Sequence, residues 1–526
     1  MKTQTAAVPS IQAVSLLKSL GADKGTVAEG YMQALIAQLR SSMPQLPDNL
    51  SAVQNAWYFN YNYLDINGNF NAATYNFINP CFEAPSPGTV QANTNNPFNS
   101  AWLQLLAGIR YVLSSADQSA YNKAQLVAAQ QQLAVVSVYQ SQFNTITQDQ
   151  MAAAQTALGW PAASQPVNKI NYVIDYMMGL VWTGGTGQAA LALTSTQMAN
   201  ADDLPSLLIK MPAGGDSVIS AATDYFSVMG SNLQYTSELT YNNSILTSLT
   251  RNTKAPSASN GGMALNNAGT VEPGLVPGYA VVPSVQALQN ALSDPQASAP
   301  TLTLSASLVS QGQYQVSIGA QGGFSVGSLI QVSASGSMNY DLASLSGAGS
   351  SYTVSIKYPG ATLVKFTPNA WNGSALTGWF YQQVLQQAYR NWNLNKRTPG
   401  SAPTGFSFIT EPAFDLDPIE NGGNFGQLQS LVVSQFPTMQ ITFNSGNFSQ
   451  FQQSFSQKVA ADVSLFGIIP IASASESSAQ SWILQQQSAT SFTLTLSAPT
   501  MTYPVSVLDA TSFVVAASVD SPASGR

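Results

Sequence analysis

Residues 302–342 read LTLSASLVSQGQYQVSIGAQGGFSVGSLIQVSASGSMNYDL, and the fold turns on their alternation. Apolar side chains occupy even positions: Leu302, Leu304, Leu308, Tyr314, Val316, Ile318, Phe324, Val326, Ile330, Val332, Met338 and Tyr340. The odd positions are overwhelmingly Thr, Ser, Gln and Gly. Successive side chains of a strand point to opposite faces, so this pattern gives one apolar and one wet face in a single register. No charged residue lies between Asp294 and Asp341, and Gly319–Gly323 (GAQGG) falls where a hairpin would turn. The reading is an amphipathic, neutral β-hairpin over 302–342.

Two structures use such a pattern. A half-buried antiparallel sheet has one face on a core and one in water. A transmembrane β-barrel has the same alternation, in strands of about 9–11 residues whose backbone groups all pair around a closed ring. Solvated sheet faces and edges ordinarily carry Lys or Glu against aggregation, and none is present here. The alternation also outlasts the usual strand of about five or six residues.

Outward from this segment, the carboxy-terminal part reads as antiparallel strands over 302–342, 352–366, 405–414, 437–449, 459–475, 490–506 and 511–519. One helix at 376–393 interrupts them, with Phe380, Val384 and Ala388 on one face to cover a sheet. Residues 328–338 and 464–475 look alike, each apolar and then rich in Ser and Ala. The amino-terminal part, 1–251, reads as mainly helical. Thr26 and Glu29 have the spacing of a capping box, and Val27, Tyr31, Leu35 and Leu39 recur every four residues. Further helices are expected from Ser119 to Leu158, Asn168 to Leu180 and Ser217 to Leu233, with an aromatic and Asn-rich insertion of short strands at 55–77. The stretch 252–300, dense in Pro, Gly and Ser, is expected to be a linker. The fold class is therefore α+β, a helical amino-terminal region followed by a β-rich antiparallel one at 301–526.

Composition narrows the chemistry. The chain has 526 residues and no histidine, and 8% of its residues are charged against roughly 25% in ordinary soluble domains. Without imidazole there is no Ser-His-Asp or Cys-His nucleophile system and no His-ligated metal, so the reading is a non-enzymatic protein without a cofactor. Activity is expected to be flat between about pH 6 and 8 for the same reason. A net charge of −7 without a basic cluster points away from nucleic acid. Cys81 alone forms no intrachain disulfide and reads as a small buried apolar residue. The start, MKTQTAAVPSIQAV, lacks the apolar run of a signal peptide, so an extracellular protein released without a recognisable signal is expected. The apolar stretch from Tyr172 to Trp182 is too short for a membrane-spanning helix and contains Asp175.

A helical half, a neutral alternating hairpin and a flexible joint together resemble, in broad design, the pore-forming toxins that extrude amphipathic hairpins into an oligomeric barrel. The resemblance rests on 302–342; the Gly-rich, histidine-containing signature of the membrane-attack-complex type has no full counterpart here. It implies Val316, Ile318, Phe324, Val326, Ile330 and Val332 as membrane-inserting residues, a homo-oligomer, and a lipid membrane or a cell-surface receptor or glycan as partner.

Two other constellations bear on function. Trp57, Tyr58, Tyr61 and Tyr63, interleaved with asparagines, suit stacking on sugar rings. Glu411, Asp415, Asp417 and Glu420 crowd TEPAFDLDPIENGGN, and Asp415, Asp417 and Glu420 form a weak Ca²⁺ candidate. Asp65-Ile66-Asn67-Gly68-Asn69 is a fainter one. The same carboxylates could serve a glycosidase. The principal rival to the pore is a self-assembling shell, fibre or lattice subunit.

Overall fold

The computed structural model describes residues 24–53, 58–143, 216–266, 274–294, 299–310, 313–317, 323–333, 339–341, 350–444, 448–449, 451–452, 462–465, 469–472, 481–488, 490–497 and 510–524. The fold is α+β, with helices mainly in the amino-terminal half and most strands after residue 300. The chain divides into two units: one of Met1–Gly108, Ser248–Tyr389 and Thr410–Arg526, the other of Ile109–Thr247 and Arg390–Ile409.

The first unit contains a seven-stranded antiparallel sheet. Its strands, in spatial order, are Gly323–Val326, Gln313–Ser317, Thr301–Ser310, Ser351–Lys357, Thr438–Phe443, Phe492–Ser497 and Ser481–Gln486. The expected alternation decides what it buries. Leu302, Leu304, Leu308, Tyr314, Val316 and Val326 are buried, together with Tyr352, Val354 and Ile356 from the next strand. Met439, Ile441, Phe443, Phe492 and Leu494 continue the same face, where the rings of Phe443 and Phe492 stack at 4.4 Å. This face shares one core with the helix Lys24–Ser42 and with Leu50, Val432, Phe513 and Val515 of a second sheet.

The second sheet is eight-stranded and mixed. Thr511–Asp520 lies at its centre between Leu50–Val53 and Gln427–Ser434, buried along nearly its whole length. That burial on both sides explains its continuous run of Phe, Val and Ala, which carries no polar alternation. Aromatic residues pack elsewhere in this unit: Trp102 Nε1 donates to the Trp379 carbonyl at 2.8 Å, and Trp379 Nε1 donates to the Gly278 carbonyl at 2.7 Å.

The second unit contains the helix Ser115–Phe143, residues 216–247 of the helix Asp216–Lys254, and a strand pair of Ile109–Val112 with Gly405–Phe408. The Tyr111 hydroxyl donates to Glu238, and its backbone N–H donates to Asn243 Oδ1 at 3.1 Å. Asp117 accepts from the hydroxyls of Ser114 and Thr404.

Several sequence expectations change. The 302–342 segment is not one hairpin but five strands in two sheets. The turn between Gln313–Ser317 and Gly323–Val326 does fall across Gly319–Gly323, whose interior lies outside the described residues. The single register ends at 326, because Leu329, an odd position, is fully buried. Residues 252–300 are no linker: they contain the strands Gly262–Asn266, Leu275–Pro277 and Tyr279–Val282 and the helix Val285–Ser293, all within the first unit. Pro277 is the last residue of one of these strands, and Pro283 directly follows another. The amino-terminal half carries strands as well, since Leu50–Val53 pairs with Thr511–Asp520, a partner far away in sequence. Thr26 lies inside the first helix and does not cap it, the described start being Lys24. The helix expected at 376–393 runs from Gln382 to Arg397, with Val384, Leu385 and Ala388 fully buried. In the loop before it Leu376 takes a left-handed φ of 54°. Residues 144–158 and the helix expected from Asn168 to Leu180 lie outside the described residues.

Candidate functional site

Among the described residues, the Ser/Thr/Gln-rich face of the seven-stranded sheet is a neutral surface on which Ile483, opposite Thr495, is also exposed. Register places Ser317, Ser305, Thr353, Thr442, Thr493 and Gln485 in one row across six strands. Thr303, Ser355, Gln440 and Thr495 form the next. The Thr442 and Thr493 hydroxyls lie 3.3 Å apart, and Gln487 Nε2 donates to Thr493 Oγ1 at 2.7 Å. Lys357, paired with Thr301 and Thr438, is the charged residue of this face among the described positions.

Beyond the edge strand Gly323–Val326 the chain enters a separate four-stranded sheet. Its order is Asn339–Asp341, Ile330–Ser333, Asp462–Leu465 and Ile469–Ala472. Two hairpins compose it. One interrupts the path from Gly323–Val326 to Ser351–Lys357, and the other the path from Thr438–Phe443 to Ser481–Gln486. They pair antiparallel, Ile330 opposite Leu465 and Val332 opposite Val463. Opposed residues share a face, so Tyr340, Val332, Ile330, Val463, Leu465 and Ile469 fall on one side. Gln331, Ser333, Asn339, Asp341, Asp462, Ser464 and Pro470 fall on the other. The alike segments 328–338 and 464–475 thus reach one sheet, but Ile330–Ser333 pairs with Asp462–Leu465 and not with Ile469–Ala472, the strand that lies wholly within 464–475.

The expected membrane-inserting residues are divided by this arrangement. Val316 and Val326 are core residues of the seven-stranded sheet, 0% and 3% exposed. Ile330 and Val332 belong to the paired hairpins. Phe324 stands opposite Val316 in the edge strand, and Ile318 lies outside the described residues.

The sugar-stacking residues are not a surface. Tyr61 and Tyr63 are 0% and 3% exposed, and the Tyr63 hydroxyl donates to the Pro283 carbonyl at 2.6 Å. Tyr58 is half-buried among the rings of Phe436 and Phe513, and Trp57 lies outside the described residues. The strand here ends at Asn60, so Tyr61 and Tyr63 are buried in the loop that follows it, which composition alone does not reveal.

The acidic segment is a turn. Asp415 Oδ1 accepts from the Asp417 N–H at 3.0 Å, Asn424 Oδ1 accepts from the Asp415 N–H at 2.9 Å, and Asp417 accepts from the Tyr389 hydroxyl. Among the described residues, no group of three or more Asp, Glu or Cys side chains is placed to hold a metal ion. Asp415, Asp417 and Glu420 are not such a group. In the second loop, Asp65 Oδ1 accepts from the N–H groups of Asn67 and Asn69, at 2.8 and 2.9 Å.

One carboxylate was missed in the sequence. Asp520, 6% exposed at the end of the central strand, accepts from Gln382 Nε2 at 3.2 Å. Burial pushes its pKa up to about 6, with the Glu420 charge adding to the rise and hydrogen bonds from Ser521, Gln382 and Gln429 opposing it. Cys81 is fully buried, and burial, aided by the Glu83 charge, pushes its thiol up to about 12.

Among the described residues no helix is long and apolar enough to cross a membrane. Compared with protein-family models, with curated proteins and with solved structures, the chain matches none.

Proposed function

We propose that this is a non-enzymatic, membrane-active protein of pore-forming type, acting extracellularly as a homo-oligomer on a lipid bilayer or cell-surface receptor. The observation that carries the reading is the pair of hairpins, 330–341 and 462–472, which share one apolar and one neutral-to-acidic face in a sheet of their own. A barrel needs that two-faced pattern in strands of about 9–11 residues with every backbone group paired, so these strands of three or four residues must lengthen and close into a ring on insertion.

Magnitudes choose these hairpins over the strands of 301–326. Each of the buried Leu302, Leu304, Leu308, Val316 and Val326 gains about 1.5–3 kcal/mol from leaving water. Together they approach the whole roughly 5–15 kcal/mol by which a folded domain is stable. Extruding 301–326 would dismantle the core, so those strands serve as the frame from which the hairpins extend.

The test is release of a trapped dye from liposomes, with electron microscopy of the protein on the same liposomes. Leakage with ring-shaped oligomers supports the reading. Ordered arrays without lipid, and no leakage, would replace it with the lattice subunit.

A further inference from the structure

We propose that the seven-stranded sheet binds a second copy of this chain at its edges, Gly323–Val326 of one copy pairing head to tail with Ser481–Gln486 of the next. These strands are the two ends of the sheet, and among the described residues neither has a second strand beside it. Edge strands are ordinarily guarded by Lys, by Pro, by inward charges or by a covering element, because their free N–H and C=O groups template further pairing. GFSV and SWILQQ contain no charge and no proline, and their inner neighbours QYQVS and FTLTLS contain none either.

The faces of the two edges fit a second copy of this chain. Phe324 and Val326 stand opposite Val316 and Tyr314, whose parity faces the core. Trp482 and Leu484 stand opposite Leu496 and Leu494, of the same parity. Joined head to tail, the two edges continue the apolar face of one copy into that of the next, and Gly323 and Ser325 continue the neutral face of Ile483 and Gln485. A one-residue slip would set apolar against polar, so the pattern also fixes the register class. A two-fold contact of one edge with itself would leave the other bare, whereas the head-to-tail contact satisfies both and repeats into a ring or filament. The contact holds whether or not the hairpins reach a membrane.

Ser325 and Gln485 are exposed, and the native Cys81 is buried. Single variants Ser325→Cys and Gln485→Cys are treated with a short flexible bismaleimide in the full-length chain, each alone and mixed, with and without liposomes. The expected result is a cross-linked dimer in the mixture but in neither single variant, and a ladder of multimers from the double variant. Self-dimers of a single variant, with nothing added by mixing, would overturn the head-to-tail contact, and so would a double variant that stays monomeric under both conditions. Ser325→Lys and Gln485→Lys in the chain without added cysteines should dissolve the multimers with an unchanged circular dichroism spectrum. Cross-linking without dye release would leave this contact standing and remove the pore; release without cross-linking would do the reverse.

Discussion

The hydroxyls of Tyr31 and Tyr358 lie 2.6 Å apart, both nearly excluded from solvent, and tie the first helix to the end of a central strand of the seven-stranded sheet. The helix also lies against Leu50–Val53 and Thr301–Ser310. Removing one hydroxyl leaves the other buried with its main partner gone, at a cost of about 1–3 kcal/mol. Tyr31→Phe and Tyr358→Phe should each lower the urea midpoint. The double variant should lose less than the two losses added, which a double-mutant cycle measures.

The same pair gives the alkaline behaviour a sign. Burial pushes Tyr31 up to about 12 and Tyr358 well above its ordinary 10. The folded state holds these protons more tightly than the unfolded chain does, so stability is complete below about pH 10 and is lost as pH rises toward 12. Thermal melts of the double Phe variant should fall less steeply over that window than those of the parent.

Asp520 alters the expectation of a pH-independent protein. Its pKa, raised to about 6, means that the folded state binds a proton the unfolded chain has already released. Its contribution is therefore fully present below about pH 4 and is lost as pH rises through 6. Asp520→Asn should raise the melting temperature at pH 7–8 and leave it nearly unchanged at pH 4. An equal shift at both values would show that the carboxylate does not titrate in this range.

The acidic turn should prove local. Asp415→Asn with Asp417→Asn removes charge from a turn whose carboxylates already bond to Asp417 N–H and to Tyr389. If the protein permeabilises membranes as proposed, dye release should stay within about twofold, and millimolar Ca²⁺ should not move the melting temperature of the parent, since a ligand that bound the folded state would raise it. A Ca²⁺-dependent rise that the double variant loses would restore the metal site.

Alternation at 302–326 was legible because a two-period pattern acts within one strand, and Leu304, Tyr314 and Val316 are buried as their parity dictates. The division of 302–342 between two sheets was not, since it depends on Ile330–Ser333 meeting Asp462–Leu465, a pairing made across more than a hundred residues of chain. The short strand Leu50–Val53 was hidden for the same reason, as its partners lie at 89–97 and 511–520. The burial of Tyr61 and Tyr63 is not legible, because an aromatic run looks the same facing sugar or core. Asp520 was overlooked because burial, rather than any neighbouring motif, shifts it.

The sharpest prediction concerns parity in the paired hairpins. If the face holding Val332 and Val463 meets lipid, then Val332→Lys and Val463→Lys should abolish dye release. A cation at the midplane of a barrel costs roughly 2–4 kcal/mol, and an oligomer multiplies this by its copy number. Ser333→Lys and Ser464→Lys, on the opposite side by register, should keep leakage and change at most its ion selectivity. Val316→Lys is the folding control: at 0% exposure it should lower the melting temperature before any membrane is added. Because a lysine at 332 or 463 can also disturb the folded protein, an environment-sensitive dye on Val332→Cys, Ser333→Cys, Val463→Cys and Ser464→Cys supplies a second readout, with Cys81 buried and silent. Emission should shift to the blue on liposomes at 332 and 463 and stay constant at 333 and 464. Equal shifts at all four positions, or none at any, in protein that still binds liposomes would mean that these hairpins do not line a bilayer.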